Sequence, residues 1–404
     1  MRIAVVSPFL DRRHGAERCV VEQIENFCRR PGIEIHIYAQ AIQDLEVANA
    51  GAGRRSESPG RPVWHHIPTL PGPHLFNYVW WFFANTALRW FHRSFCSLRY
   101  DVVYSPGINC PDADAIVAHV VFHAFFQHVR EGLRLRSAPV RSWPATVHRI
   151  LYYRLIMSLE NRIYPVPKIR LAAVSSLTAR ELSQTAKRED IAVIPNAVDI
   201  EEFDSEERLR RREESRRAFG FPDSDFVLLL LGNGWKNKGL DTLLQALGLL
   251  HHLPVKLLVV GRDDQAPYQV QIRRLHLDAH VIFAEPSPDV VRFYAAADAY
   301  ASPSLHDSFA LPPLEAMACG LPVITSVQNG GSQIITNGVD GFVLQNPEDA
   351  SRLAEWIRAL YEQPELRRTI GSNAASTAKT YTWDRNASET WSLLVSALQR
   401  KDAQ

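Results

Sequence analysis

Short apolar runs alternate with amphipathic stretches along most of this chain. Residues 3–6, 33–38, 101–105, 115–119 and 171–176 read as strands, rich in β-branched and aliphatic side chains and stopped by Ser, Pro or Gly. Between the first two, Gly15 opens a helix whose Val20, Val21, Ile24 and Phe27 recur at helical spacing, and residues 178–185 repeat that pattern. The second half has the same rhythm. Residues 226–231 are apolar without a break, as a strand covered on both faces should be, and 240–250 is helical. Strands follow at 255–261, 280–285, 298–303 and from 322, with a short helix at 314–319 and a longer one at 383–398. Strand, loop, helix, strand is the βαβ unit, so the pattern predicts two successive α/β domains with open parallel sheets. The charged run 201–217 between them reads as a linker, and residues 42–63, dense in Gly, Ser and Pro, as an exposed loop.

Two segments stand apart from this rhythm. Residues 76–93 carry aromatics, Trp80 and Trp81 among them, nearly all round a helix that ends near Arg89 and Arg93; that pattern fits either a buried core helix or a face set into a membrane interface. Residues 127–159 are one-sidedly basic, with Arg130, Arg134, Arg136, Arg141, Arg149 and Arg154, which fits either a solvated face or an anionic partner. No recognition fold accompanies the patch, which argues against nucleic acid. The overall charge of +1 is silent on partners, while 46% hydrophobic and 22% charged residues are those of an ordinary globular protein. Five scattered cysteines without CxxC spacing read as reduced thiols in a cytoplasmic setting. The N-terminus is too short in apolar residues for a signal-peptide core, and no run approaches the ~20 residues of a spanning helix.

The candidate chemistry gathers around residues 306–324. Asp307 lies in a loop and Glu315 in the helix after it, so both carboxylates can face one ligand, with backbone N–H groups from Ser308, Phe309, Ala310 and Leu311 between them to favour a diphosphate. The loop 232–239 puts Asn233, Lys236 and Lys238 between a strand and a helix; its glycine spacing does not fit a dinucleotide fingerprint, and its lysines suit a diphosphate. Gly15 and Ala16 occupy the first βα loop, where a small residue permits close approach to a ligand. His119 closes a strand at its carboxyl end. Asp112-Ala113-Asp114 has the look of a metal motif, but such triplets recur by chance, as Asp223-Ser224-Asp225 shows, and no metal is inferred.

Residues 307–324 resemble the Glu-x7-Glu signature of the retaining glycosyltransferases of family 4, with Asp307 for the first Glu and Ala310 for a Gly. Residues 232–239 resemble that family's Arg-x4-Lys loop, with Asn233 for Arg and Lys236 a candidate for the missing charge, and 195–199 resemble its Pro-Asn-Gly-Val-Asp turn. Within the family, the look is that of lipopolysaccharide-core glucosyltransferases. The resemblance implies the GT-B fold: two Rossmann-like domains, 1–200 for the acceptor and 221–380 for the nucleotide sugar, with parallel sheets facing a central cleft, a linker at 201–220, and 381–404 returning to the first domain. It implies a hexosyl transfer from a nucleoside diphosphate sugar, UDP-glucose in type, to a glycolipid or polysaccharide acceptor on the inner face of a membrane, with no metal or other cofactor. Asp307, Lys238 and His119 would be the catalytic positions. Glu315 would hold ribose, with Gly15, Ala16, Asn233, Lys236 and residues 308–311 completing the donor site, and Arg130, Arg134, Arg136, Trp80 and Trp81 on the acceptor or membrane side. Retention in that family needs no covalent nucleophile, because a diphosphate oxygen takes the acceptor proton on the same face. An inactive sugar-nucleotide-binding scaffold and a GT-B epimerase are the alternatives.

Overall fold

Every residue of the run Ile3-Ala4-Val5-Val6 is buried, which places β1 (Arg2–Val6) in the middle of a sheet covered on both faces. The computed structural model describes residues 1–49, 61–129 and 143–402, in two units: Met1–Pro195 with Trp383–Gln404, and Asn196–Thr382. After β1 the first unit continues with β2 (Phe9–Leu10), α1 (Gly15–Cys28), β3 (Glu34–Ala39), β4 (Ala41–Ile42), β5 (Ala48–Asn49) and β6 (Val63–His66). There follow α2 (His74–Phe95), β7 (Val102–Ser105), β8 (Ala115–Ala118), α3 (Phe122–Val129), α4 (Trp143–Ile163), β9 (Arg170–Ala173), α5 (Ser176–Ala186) and β10 (Ile191–Val193). The described strands form a parallel sheet in the order β10-β9-β8-β7-β1-β3-β6-β5, while β2 and β4 pair separately. The segment expected as an exposed loop therefore holds β4, β5 and the start of β6, and residues 50–60 lie outside the described ones.

Helix α2 fits neither of its two readings in full. Trp81, Asn85 and Arg89, four apart, are buried together with Phe82. The opposite stripe is open to solvent: Phe76 is 66% exposed, Phe83 67% and Trp90 62%. Arg89, expected as a cationic flank, instead lies inside, donating to Asn85 Oδ1 at 2.9 Å and pairing with Asp112. That pairing also accounts for half of the Asp-x-Asp triplet; Asp114 accepts from the Val103 amide at 2.8 Å and from Lys401 Nζ at 3.2 Å.

The second unit begins with α6 (Ser205–Phe219), β11 (Phe226–Leu231), α7 (Leu240–Leu249), β12 (Val255–Val260), α8 (Ala266–Arg274), β13 (Val281–Ala284) and α9 (Val291–Ala296). It continues with β14 (Ala299–Ser302), α10 (Leu311–Ala318), β15 (Val323–Ser326), β16 (Phe342–Leu344), α11 (Ala350–Glu362) and α12 (Pro364–Ala378). Its sheet is again parallel, β13-β12-β11-β14-β15-β16. Leu228, Leu230, Leu243, Leu247 and Val259 fill the core between β11, β12 and α7. The charged run expected as a linker is helix α6, which packs on α9. Asp204 caps it by accepting from the Glu206 and Glu207 amides, and Gly220 ends it in the left-handed region at φ 74°. Its inward side is polar. Arg216 is buried and donates to Asp298 Oδ2 at 3.1 Å and to the Pro222 and Asp225 carbonyls, both at 2.6 Å. Asp298 Oδ2 also accepts from the Val227 amide of β11.

The last helix, α13 (Trp383–Asp402), belongs to the first unit. Gln23 Nε2 on α1 donates to Asn386 Oδ1 at 2.8 Å and to Thr390 Oγ1 at 3.1 Å, and its Oε1 accepts from the Tyr104 hydroxyl on β7 at 2.8 Å. All four side chains are buried, and Trp391 packs on Phe27 beside them at 5.6 Å.

Candidate functional site

At the carboxyl ends of β11 and β14, two loops of the second unit are stitched together. The Leu305 amide donates to the Asn237 carbonyl at 2.7 Å, Asn237 Nδ2 donates to the His306 carbonyl, and Ser302 Oγ donates to the Lys238 carbonyl at 3.3 Å. The stitching carries Lys238 to Asp307: Nζ lies 3.5 Å from Oδ2, with both groups largely buried. Gly232 makes room for the lysine. Its φ is +113°, and a Cβ there would stand 2.8 Å from Lys238 Cε.

Asp307 is held by its backbone, its amide donating to Gln328 O and its carbonyl accepting from Gly330 N, both at 2.8 Å. Eight residues on, Glu315 is buried on α10, and Tyr294 of α9 donates its hydroxyl to Oε2 at 2.6 Å. Burial, reinforced by that carboxylate, pushes the Tyr294 phenol well above its ordinary pKa, so it stays protonated as a donor. Asp307, Lys238 and Glu315 are thus brought around one helix N-terminus.

The amide cradle is thinner than the sequence suggests. Helix α10 starts at Leu311, so Pro312 and Pro313 sit within its first turn instead of breaking the chain ahead of it; both lack an N–H. The Ala310 amide donates at 3.3 Å to Asn329 Oδ1, which also accepts from Gly331 N at 3.0 Å. Ser308 is half-buried and Phe309 buried in the same loop. Asn233 ties its loop to the one after β12, its Oδ1 accepting from the Arg262 amide at 3.0 Å, and Lys236 is exposed.

In the first unit, Gly15 and Ala16 begin α1 at the carboxyl end of β1, and His119 follows β8. Burial holds the His119 imidazole down to about 4, so it is neutral at physiological pH. His123 is committed elsewhere, facing Glu160 at 2.6 Å, while Glu160 also accepts the Phe122 and His123 amides that open α3. Ala16, Trp81 and His119 border a cavity of about 280 Å³. Trp80, next along α2, is partly exposed and donates Nε1 to the Pro68 carbonyl at 2.8 Å. Arg130, Arg134 and Arg136 lie outside the described residues. Among the described residues no group of three His, Cys, Asp or Glu is placed to hold a metal.

Tyr294 and Asn329 were not read from the sequence. Tyr294 hides in an apolar helical run, and the only trace of Asn329 is its place before Gly330-Gly331, an Asn-Gly turn signal.

Residues 13–202 match the family model described as Glycosyltransferase Family 4, and residues 211–377 the one described as Glycosyl transferases group 1. The chain belongs to this glycosyltransferase family. Among curated relatives, the D-inositol 3-phosphate glycosyltransferase of Pseudarthrobacter chlorophenolicus is 30% identical over 255 residues, 60% of this chain and 59% of that protein. The enzyme of the same name from Corynebacterium jeikeium is 32% identical over 209 residues, 49% of each chain. The chain thus spans about half to three-fifths of the length of these curated relatives. Among solved structures, WaaG, a glycosyltransferase involved in lipopolysaccharide biosynthesis, superposes with a TM-score of 0.74 at 20% identity, covering 97% of this chain and 99% of its own. HepE of Anabaena in complex with UDP-glucose gives 0.66 at 21% identity, with 97% and 99% covered. These structural likenesses are ones of fold, and the fold is GT-B.

Proposed function

We propose that the protein is a retaining glycosyltransferase that moves a hexose from a UDP-sugar, glucose first among them, to a hydroxyl of a glycolipid or polysaccharide. The observation that carries this reading is the constellation of Lys238, Asp307 and the Tyr294-held Glu315 around the start of α10. Lys238 is a buried cation preorganised where charge grows on a leaving diphosphate, the kind of donor that contributes most to such a step. Glu315 is assigned to the ribose hydroxyls and Asp307 to the transferred sugar. His119, being neutral, can give or accept a hydrogen bond to a sugar hydroxyl. The diphosphate oxygen takes the acceptor proton on the face the sugar leaves, which preserves the anomeric configuration. HepE with UDP-glucose supports the choice of nucleotide, and WaaG that of an envelope acceptor.

No helix among the described residues is long and apolar enough to cross a membrane. The open stripe of α2, Phe76, Phe83, Trp90 and Phe95 with Arg93 beside it, is assigned to the surface of an anionic bilayer, where aromatics and cations anchor together. Thermal melting against UDP, GDP, ADP and their sugars tests the transferase reading. A UDP-sugar at ~100 times its dissociation constant should add about 2.7 kcal/mol, and absence of any shift would favour an inactive scaffold.

A further inference from the structure

A separate cavity in the second unit collects cations that the donor constellation does not use. Arg208 and Arg212 of α6 and Arg367 and Arg368 of α12 border it together with Asp298 and Pro322, around a volume of about 200 Å³. Asp298 and Pro322 stand just before β14 and β15, so the cavity lies at the amino ends of these strands, whereas Asp307 follows the carboxyl end of β14. The 4 residues of β14, roughly 13 Å of strand, separate the two places.

The carboxylates at hand are already taken. Asp298 sits between Arg212, at 2.7 Å, and Arg216, at 3.1 Å, and Glu365 pairs with Arg368. Among the described residues no carboxylate pairs with Arg208 or Arg367. Arg208 reaches the Ala297 carbonyl through Nη1 at 3.4 Å, and its Nε is buried without a hydrogen-bond partner. Arg367 donates to the Leu360 carbonyl at 3.1 Å and lies over the Phe226 ring, its guanidinium carbon 5.3 Å from the ring centre. Burial holds the Arg208 guanidinium below its ordinary pKa, and the charges of Arg212 and Arg367 push it the same way, so these cations stand close enough to repel one another. Like charges gathered at a largely buried place, one of them with an unpaired donor, are costly to a fold, and an anion between them removes both costs.

Guanidinium groups match the oxygens of a phosphate through paired N–H donors, and two without carboxylate partners offset the two charges of a phosphate monoester. The volume exceeds the ~150 Å³ that takes a benzene ring, so a phosphoryl group fits with several carbons attached. We infer that this cavity is an anion site distinct from the donor site, and that Arg208 and Arg367 hold in it the phosphoryl group of a small soluble phosphate ester.

Calorimetric titration of the full chain, at low salt in a phosphate-free buffer, tests it with inorganic phosphate, glycerol 3-phosphate and vesicles containing phosphatidic acid. Glycerol 3-phosphate should bind at one site, with an affinity that Lys238→Ala and saturating UDP leave unchanged. Arg208→Gln and Arg367→Gln should each weaken it at least about tenfold, and Arg208→Lys, which keeps the charge but not the fork, should fall between Arg208→Gln and the native chain. Arg208→Gln should not lower the melting temperature, because it retains an N–H for the Ala297 carbonyl and removes a repelling charge, so its loss of binding is not a loss of fold. Inorganic phosphate binding at the same arginines would support the phosphoryl site. Absence of binding by either soluble probe would overturn the inference, as would binding that UDP competes away or that depends on Lys238 and not on Arg208. Binding to the vesicles alone would overturn the soluble ester and identify a lipid headgroup instead.

Discussion

Gly232→Ala should cripple turnover while leaving most of the protein folded. The new Cβ would lie 2.8 Å from Lys238 Cε, where carbons in contact keep about 3.5–4.0 Å, so the lysine tip must retreat by roughly 1 Å. The Lys238–Asp307 separation then opens from 3.5 Å to about 4.5 Å. At an effective dielectric near 20 this costs about 1 kcal/mol of attraction, and a misplacement of about 1 Å in a reacting site can cost up to ~10²-fold in rate. Alanine at φ +113° adds about 1–3 kcal/mol of backbone strain. Against a stability of about 5–15 kcal/mol the strain leaves well over nine-tenths of the molecules folded, so unfolding accounts for little of the rate loss. A transfer assay with a UDP-hexose should show kcat reduced about tenfold to a hundredfold, and a parallel melt a Tm lower by roughly 2–12 °C. Adding Lys238→Ala should cause no further loss beyond that of Lys238→Ala alone, because the two act through one ammonium. Wild-type kcat in a variant whose Tm has fallen would refute the assignment of Lys238.

Tyr294→Phe removes the 2.6 Å donor to Glu315 and should weaken UDP binding about tenfold or more by calorimetry; unchanged affinity would detach Glu315 from the nucleotide. Arg216→Met leaves Asp298 paired with Arg212 at 2.7 Å but strips the Pro222 and Asp225 carbonyls of their buried donor, and should cost about 1–3 kcal/mol in denaturant melts; an unchanged midpoint would show that the buried guanidinium adds nothing to the fold. Burial, with His36 and His92 adding to it, holds His65 down to about 3. The unfolded chain, with its histidine near 6.5, therefore binds more protons between those values, and stability falls as pH drops through them by at most about 1.4 kcal/mol per unit from this group. His65→Asn should flatten part of that slope, and an unaltered slope would assign it to other groups.

What could be read in the sequence was whatever leaves a periodic or positional mark. The strand 226–231 announces itself as a fully apolar run, and the loops 232–239 and 306–324 by glycine, proline and charge at fixed offsets. Helix α6 leaves no such mark, since the residues it buries are Ser215 and Arg216; to a hydrophobicity pattern it is a charged run, and only the partners Asp298, Pro222 and Asp225 make it a core element. The Glu315–Tyr294 bond joins residues on different helices, and the Asn329 side chain works on amides brought to it by the fold. The cavity of the first unit was invisible for the same reason, because Trp81 and Tyr164 lie 83 positions apart and meet it from different parts of the chain. Trp81 was singled out on a helix that fits either the core or a membrane face, because that helix shows aromatics on every side until the structure assigns Trp81 to the inner stripe and Phe83 and Trp90 to the outer.

The return of α13 to the first unit sets an order of assembly during synthesis. The second unit is continuous in sequence and can close on itself while the ribosome is still adding α13. Gln23, translated well before them, waits for Asn386 and Thr390 to emerge as acceptors for its Nε2. Until then α1 and β7 expose a polar seam meant for the interior, so the first unit, begun before the second, matures after it, and a nascent chain stalled before residue 383 would be a substrate for chaperones or proteases in its first unit alone.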